Sequence, residues 1–208
     1  MKYKIGYVDE NPAQIKKYKR DLKEKFDVQG YDIPKGLSIK KLLQQIYHSD
    51  IDLLLIDYQL TDKGMLTYNG DQIAREFEKI KPRFPILIFT QHHDDAFPEV
   101  DNPNIIYEKA AARDIDHFSD ILIKNIEVYK KFVSVRKQSI SRLLTKSKKK
   151  KLNAKENHTL LDKQIELQQL DKKAIEVPFQ LLNQKKNETL AKAASKAEKY
   201  VKTLSKKK

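Results

Sequence analysis

The feature that most constrains the fold is the alternation of short apolar runs with helical patterns through the first two thirds of the chain. The run IDLLLID at 51–57 has the length and aliphatic content of a strand buried on both faces. Four more strand-like runs are KYKIGYVD at 2–9, FDVQGY at 26–31, PILIFT at 85–90 and NIIYEK at 104–109. Strands that alternate with helices predict an α/β fold with a doubly wound, five-stranded parallel sheet.

Start signals locate the helices between these strands. Pro12 opens the first helix, Ser38 is predicted to cap the second, and the third begins at the Gly70 region. The segment between the fourth and fifth strands has two prolines and little apolar periodicity, which predicts a short or irregular fourth helix. The last helix begins at Asp114, and no Gly or Pro stops it before the lysine run at 146–151, so it is expected to continue into the C-terminal segment.

Charge divides the chain into two segments. Residues 136–208 carry 21 Lys or Arg and 7 Asp or Glu, a net +14, whereas the remaining 21 basic and 22 acidic residues leave −1 for 1–135. We therefore predict a globular domain over 1–133 and a basic helical extension over 134–208. Apolar residues in this extension recur at heptad spacing over 160–181 and 190–204, which is typical of a coiled coil, and Pro178 predicts a helix break near Val177.

Composition also excludes several kinds of protein. The chain has no cysteine, so it has no disulfide, thiolate metal site or thiol nucleophile. The sequence MKYKIGYVDE turns acidic too early for a signal peptide, and no run approaches the roughly 18 apolar residues of a membrane span. These observations predict a cytoplasmic protein without membrane insertion.

Polar side chains stand at the ends of four predicted strands. Asp9 and Glu10 end the first strand, Asp57 the third, Thr90 the fourth and Lys109 the fifth. Because the carboxyl ends of parallel strands share one edge of the sheet, we expect these five residues to converge there. Clustered carboxylates suit Mg²⁺, whereas a hydroxyl and an ammonium suit phosphoryl oxygens. The pattern therefore predicts an aspartyl-phosphate on Asp57.

The motifs VDEN (8–11), LLLIDYQL (53–60), LIFTQ (87–91) and YEKA (107–110), in this order, resemble the receiver domain of two-component response regulators. The resemblance covers about residues 1–133. It implies a flavodoxin-like receiver fold and a phosphoprotein of a phosphorelay. It further implies a phosphoacceptor, served by a histidine kinase or phosphotransfer protein, whose only chemistry is self-phosphotransfer and autodephosphorylation.

The same resemblance assigns roles to the strand-end residues. Asp57 is the phosphorylation site, Thr90 the switch hydroxyl and Lys109 the phosphate-binding lysine. Asp9, Glu10 and Asp57 are implied to hold Mg²⁺, and the carbonyl of Gln59 is implied as an additional ligand.

Two departures from the receiver pattern concern the surroundings of Asp57. The loop before Gly70 is about five residues longer than usual, which gives it the length to cover the site or to form a partner surface. Gln91 stands where a small residue usually follows the switch hydroxyl, and it is placed to obstruct or tune access to the phosphate.

Three functions remain open for the segment 134–208. The favoured one is an interaction module, a coiled coil with a second copy or with a partner helix. The second is nucleic-acid binding through the lysine-rich face, with steep salt dependence. The third is a phosphate buffer or relay receiver that the tail merely docks to a kinase or scaffold.

Overall fold

The computed structural model describes residues 2–91 and 93–170. Its strands are β1 (Tyr3–Val8), β2 (Phe26–Gly30), β3 (Leu53–Ile56), β4 (Ile86–Thr90) and β5 (Ile106–Glu108), and its helices are α1 (Pro12–Asp21), α2 (Ile39–His48), α3 (Gly70–Ile80), α4 (His93–Ala96), α5 (Ile115–Lys149) and α6 (Ala154–Leu170), with 3₁₀ turns at Pro103–Ile105 and Lys109–Arg113. Contacts group the chain into two units, of which the first ends at Lys137 and the second begins at Gln138.

The five strands of the first unit form one sheet in the order β2-β1-β3-β4-β5, and every neighbouring pair is parallel. This is the flavodoxin-like order, in which the chain reverses direction across the sheet between β1 and β3. The predicted fold class is therefore confirmed. All five predicted strands are present, each with slightly shorter bounds than its apolar run.

Alternation along the strands divides the core into two layers. Leu54 and Ile56 of β3 face a buried cluster that includes residues of α2 and α3, whereas Leu53 and Leu55 face a second cluster that includes residues of α1 and α5. All four side chains are fully buried. Helices on both faces explain why this strand is a continuous apolar run rather than an alternating one. The edge strand β2 alternates buried and exposed residues instead.

The helix starts agree with the sequence, with one correction. Asn11 caps α1 by accepting a hydrogen bond from the Ala13 backbone N–H at 3.1 Å, and Pro12 occupies the first turn. Ser38 precedes α2 as predicted, but its side chain makes no capping hydrogen bond. Its backbone carbonyl instead accepts from Lys41 and Leu42, so the start of α2 is fixed by the main chain.

The long loop between β3 and α3 is packed rather than open. Its side chains Tyr58, Leu60, Leu66 and Tyr68 are buried in the core cluster beneath α2 and α3. At its end, the Gly70 backbone N–H donates to the Tyr58 carbonyl at 2.8 Å. A Cβ added to Gly70 would lie 2.3 Å from the Asp57 carbonyl oxygen, so glycine is required where α3 starts against the end of β3.

The predictions for the C-terminal part are tested only as far as residue 170. The short fourth helix is confirmed, and α5 continues to Lys149 as expected. The heptad pattern beyond Leu170 and the break at Pro178 lie outside the described residues. Of the helices in the described ranges, none has both the length and the hydropathy to span a bilayer.

Candidate functional site

The carboxyl ends of β1 and β3 meet in a cleft of about 240 Å³ at one edge of the sheet. The two strands are paired in register through Val8 and Ile56, and the Asp57 backbone N–H donates to the Val8 carbonyl at 2.8 Å. This pairing places the residues that follow the two strands side by side. The described residues that line the cleft are Asp9, Glu10, Asn11, Gln14, Asp57, Gln59, Asp62, Lys63, Gln91 and Lys109.

A buried ammonium joins the two central carboxylates. Lys109 Nζ lies 3.0 Å from Asp9 Oδ2 and 3.0 Å from Asp57 Oδ2. The side chains are 7% exposed for Lys109, 1% for Asp9 and 14% for Asp57. Lys109 follows β5 directly, at the far edge of the sheet, and its long side chain spans β4 to reach the cleft. Five of the expected residues therefore line one cleft: Asp9, Glu10, Asp57, Gln59 and Lys109.

Asp9 is held by three donors. Its Oδ1 accepts from the Asn11 backbone N–H at 2.7 Å, and its Oδ2 accepts from the Tyr7 hydroxyl at 2.5 Å as well as from Lys109. Burial, followed by the negative charge of Asp9, raises the pKa of Tyr7 well above its usual range. The hydroxyl of Tyr7 thus stays protonated and is a permanent donor to Asp9.

The surroundings of Asp57 disfavour its ionised form. Burial is the main cause that raises the pKa of its carboxyl to about 6, and the neighbouring charge of Asp9 adds to the effect. Lys109 and the Tyr58 backbone N–H act in the opposite direction. Ionised Asp57 would therefore be stabilised by additional positive charge in the cleft.

Glu10 faces a different cation. Its side chain is 7% exposed, accepts from the Lys63 backbone N–H at 3.3 Å and lies 3.9 Å from Lys63 Nζ. Because Lys109 separates Asp9 from Asp57 and Lys63 faces Glu10, no three Asp, Glu or His side chains of the described residues converge as a metal site in this structure.

Two amide side chains in the cleft have unpaired oxygen atoms. The Oε1 atoms of Gln14 and Gln59 are buried and accept no hydrogen bond from any residue that the structure describes. Buried acceptors without donors are rare in native proteins because each forfeits its solvation. Both oxygens therefore suit a ligand that brings a cation or a donor into the cleft.

Thr90 is the last residue of β4. It is fully buried at the end of β4, and the next residue, Gln91, lines the cleft. The expected convergence thus holds for Asp9, Glu10, Asp57 and Lys109, and the role of Thr90 as the switch hydroxyl stays a prediction.

Sequence reasoning missed Tyr7, Gln14 and Lys63. Tyr7 carried a readable signal, since residues two apart in a strand lie on the same face and Tyr7 precedes Asp9 by two. A single sequence contains no signal that identifies Gln14 or Lys63 as residues of the site.

Comparison with known proteins finds similar solved structures. A response regulator receiver protein from Sinorhizobium medicae is 22% identical, and the match covers 60% of this chain and 97% of that chain at a TM-score of 0.46. A response regulator from Thermotoga maritima in complex with Mg²⁺-BeF is 20% identical, with 60% and 99% covered and a TM-score of 0.45.

A third structure, described as adenylate cyclase from Rhodopirellula baltica, is 19% identical, with 66% and 98% covered and a TM-score of 0.50. No family model matches the sequence, and no curated protein matches it significantly. The strand order of the sheet, rather than sequence identity, gives the first unit a flavodoxin-like fold.

The raised pKa of Asp57 predicts a pH-dependent effect of its removal. The folded state binds the Asp57 proton more tightly than the unfolded chain does. Protonated Asp57 therefore stabilises the fold fully at pH values below 3.8, the ordinary pKa of the carboxyl group. This contribution is lost as the pH rises through the folded-state pKa of about 6. In metal-free buffer, Asp57→Asn should increase the free energy of unfolding at pH 7.5 by about 2–3 kcal/mol, with little gain near pH 4.

Urea unfolding at both pH values measures this difference. The exposed Asp101→Asn is the control and should change stability by less than about 1 kcal/mol. A destabilised Asp57→Asn protein at pH 7.5 would show that its surroundings stabilise the ionised carboxylate of Asp57. The cleft would then need no additional cation.

Proposed function

We propose that the first unit is a phosphoryl-accepting receiver in which Asp57 carries the phosphoryl group. The observation that carries the proposal is the placement of Lys109 Nζ at 3.0 Å from both Asp57 and Asp9, inside a cleft at the carboxyl edge of a flavodoxin-like sheet. A nucleophilic carboxylate beside a fixed ammonium suits transfer of an anionic group. The function is that of a phosphoacceptor, not of an enzyme with a separate substrate.

The donor set fits Mg²⁺. It consists only of oxygen atoms, from Asp9, Glu10 and Asp57, and the side-chain oxygen of Gln59 is buried without a partner. We assign these four residues to the ion, either directly or through water, which Mg²⁺ retains readily. The bound ion would supply positive charge to the phosphoryl oxygens and so lower the barrier to transfer.

The chain's own residues account for the remaining steps. An Asp57 carboxylate oxygen attacks phosphorus, the bond from phosphorus to the donor atom breaks, and the leaving group keeps the electron pair. The Lys109 ammonium can pair with the Asp57 carboxylate before the transfer and with the phosphoryl oxygens after it. Tyr7 and Asn11 hold Asp9 in place. The donor is proposed to be a histidine kinase or phosphotransfer protein.

For the second unit we propose an interaction module that joins two copies of the chain. Leu161 and Ile165, one helical turn apart on α6, are each 42% exposed. The heptad residues Leu167 and Leu170 are already buried, so among residues 138–170 the exposed large apolar side chains available to a partner are Leu161 and Ile165. The excess of lysine supports nucleic-acid binding as the alternative.

Phosphorylation of Asp57 is tested by intact-protein mass after incubation with Mg²⁺ and acetyl phosphate. The wild-type protein should gain one phosphate-sized mass that disappears on alkaline treatment, whereas Asp57→Asn should gain none. Asp52→Asn is the matched control, because Asp52 opens the apolar run that Asp57 closes and pairs with Lys130 outside the cleft. A wild-type protein that stays unmodified would contradict the proposal.

Self-association is tested by sedimentation velocity over a range of concentrations. The wild-type chain should form dimers that persist in moderate salt, and Leu161→Ser with Ile165→Ser should shift it to monomer. A control pair, Lys155→Ser with Gln169→Ser, changes exposed polar positions of the same helix and should leave the dimers intact. Monomers at every concentration, together with heparin retention that falls steeply with salt, would favour nucleic-acid binding instead.

A further inference from the structure

The loop between β3 and α3 brings its own cation to the cleft. The loop makes a tight turn in which the Gly64 backbone N–H donates to the Thr61 carbonyl at 2.9 Å, and Gly64 has a φ of 62°. Lys63 precedes this glycine, and its backbone N–H and ammonium both face Glu10. The turn therefore presents Lys63 to one of the carboxylates assigned to Mg²⁺.

The rest of the loop is anchored, so this presentation does not depend on Lys63 itself. The Tyr68 hydroxyl donates to the Leu37 carbonyl at 2.9 Å, and the Gly36 backbone N–H donates to the Met65 carbonyl at 2.8 Å. Leu60 and Leu66, on either side of the turn, are buried in the core. The backbone around residue 63 is thus held on both sides.

The Lys63 side chain, in contrast, is 51% exposed, and its ammonium lies 3.9 Å from Glu10 Oε1. Partly exposed pairs of this kind are weak and exchange readily with solvent. The Glu10 carboxylate is 7% exposed, so it depends on cations that reach into the cleft. The lysine can swing out into water while the carboxylate cannot.

We propose that Lys63 is a tethered counter-ion of Glu10 that competes with Mg²⁺ and so sets the metal affinity of the cleft. Metal binding displaces the ammonium from Glu10, and the residual charge of Lys63 near the cleft opposes the ion. The long loop thereby raises the Mg²⁺ concentration that the site needs. This inference rests on the proposed function, because it assumes that the cleft is a Mg²⁺ site.

The test is isothermal titration calorimetry of the 208-residue protein with Mg²⁺ alone at low ionic strength. Lys63→Gln should lower the dissociation constant by about two- to five-fold, since an exposed charge pair is worth little more than that. Lys63→Arg retains the charge and should bind Mg²⁺ like the wild type. Lys79→Gln, which removes an exposed lysine paired with Glu76 on α3, is the control with the same change in net charge.

The outcomes separate the two proposals. Equal dissociation constants for wild type and Lys63→Gln, or weaker binding by the variant, would overturn the role of Lys63 and leave the metal site standing. Tighter binding by Lys79→Gln to the same extent would reduce the effect to net charge and also overturn it. If neither wild type nor Lys63→Gln binds Mg²⁺, the metal site and the role of Lys63 both fail.

Discussion

The site depends on one buried ammonium between two carboxylates. Lys109 bridges Asp9 and Asp57 at equal distances, and all three side chains are almost removed from water. Buried charges are stable only when they are paired and hydrogen-bonded. One ammonium cannot neutralise two carboxylates, so the cluster retains a net negative charge. Burial, reinforced by the negative charge of Asp9, raises the pKa of Asp57 to about 6.

Pairing of the strands places the members of this cluster close together. Parallel pairing of β1 with β3 sets Asp57 beside Asp9, and the hydrogen bond from Asp57 N–H to Val8 fixes the register at the edge. Gly70 then lets α3 begin directly against Asp57. The apolar strands are covered on both faces, so water reaches the charged side chains only from the cleft. A cation and an anionic group are the ligands that such an edge accommodates.

Local sequence was sufficient to locate much of this architecture. Continuous apolar runs marked β3 and β4 because parallel strands that are buried on both faces need hydrophobic residues throughout, whereas alternation marked the edge strand β2. The polar residues that follow the strands marked the edge of the sheet. The contacts that each strand-end side chain makes were not predictable in this way, because they depend on the packing of the whole edge rather than on one segment.

Features that depend on long loops or on reciprocal side-chain contacts were not predicted. The approach of Lys63 to Glu10 joins residues 53 positions apart through the path of one loop.

The break between α5 and α6 did have a local signal. Asn153 and Glu156 form a capping box, in which each side chain accepts from the other's backbone N–H, at 2.9 and 3.1 Å.

The most direct test is ¹⁹F NMR of the 208-residue protein with beryllium fluoride, which mimics a phosphoryl group on a carboxylate. If Asp57 accepts a phosphoryl group, the wild-type protein should show bound fluoride resonances that require Mg²⁺ and are absent from Asp57→Asn. Bound resonances that persist in Asp57→Asn, or none in the wild type at saturating Mg²⁺, would contradict the claim that the charge imbalance around Lys109 serves a phosphoryl group on Asp57.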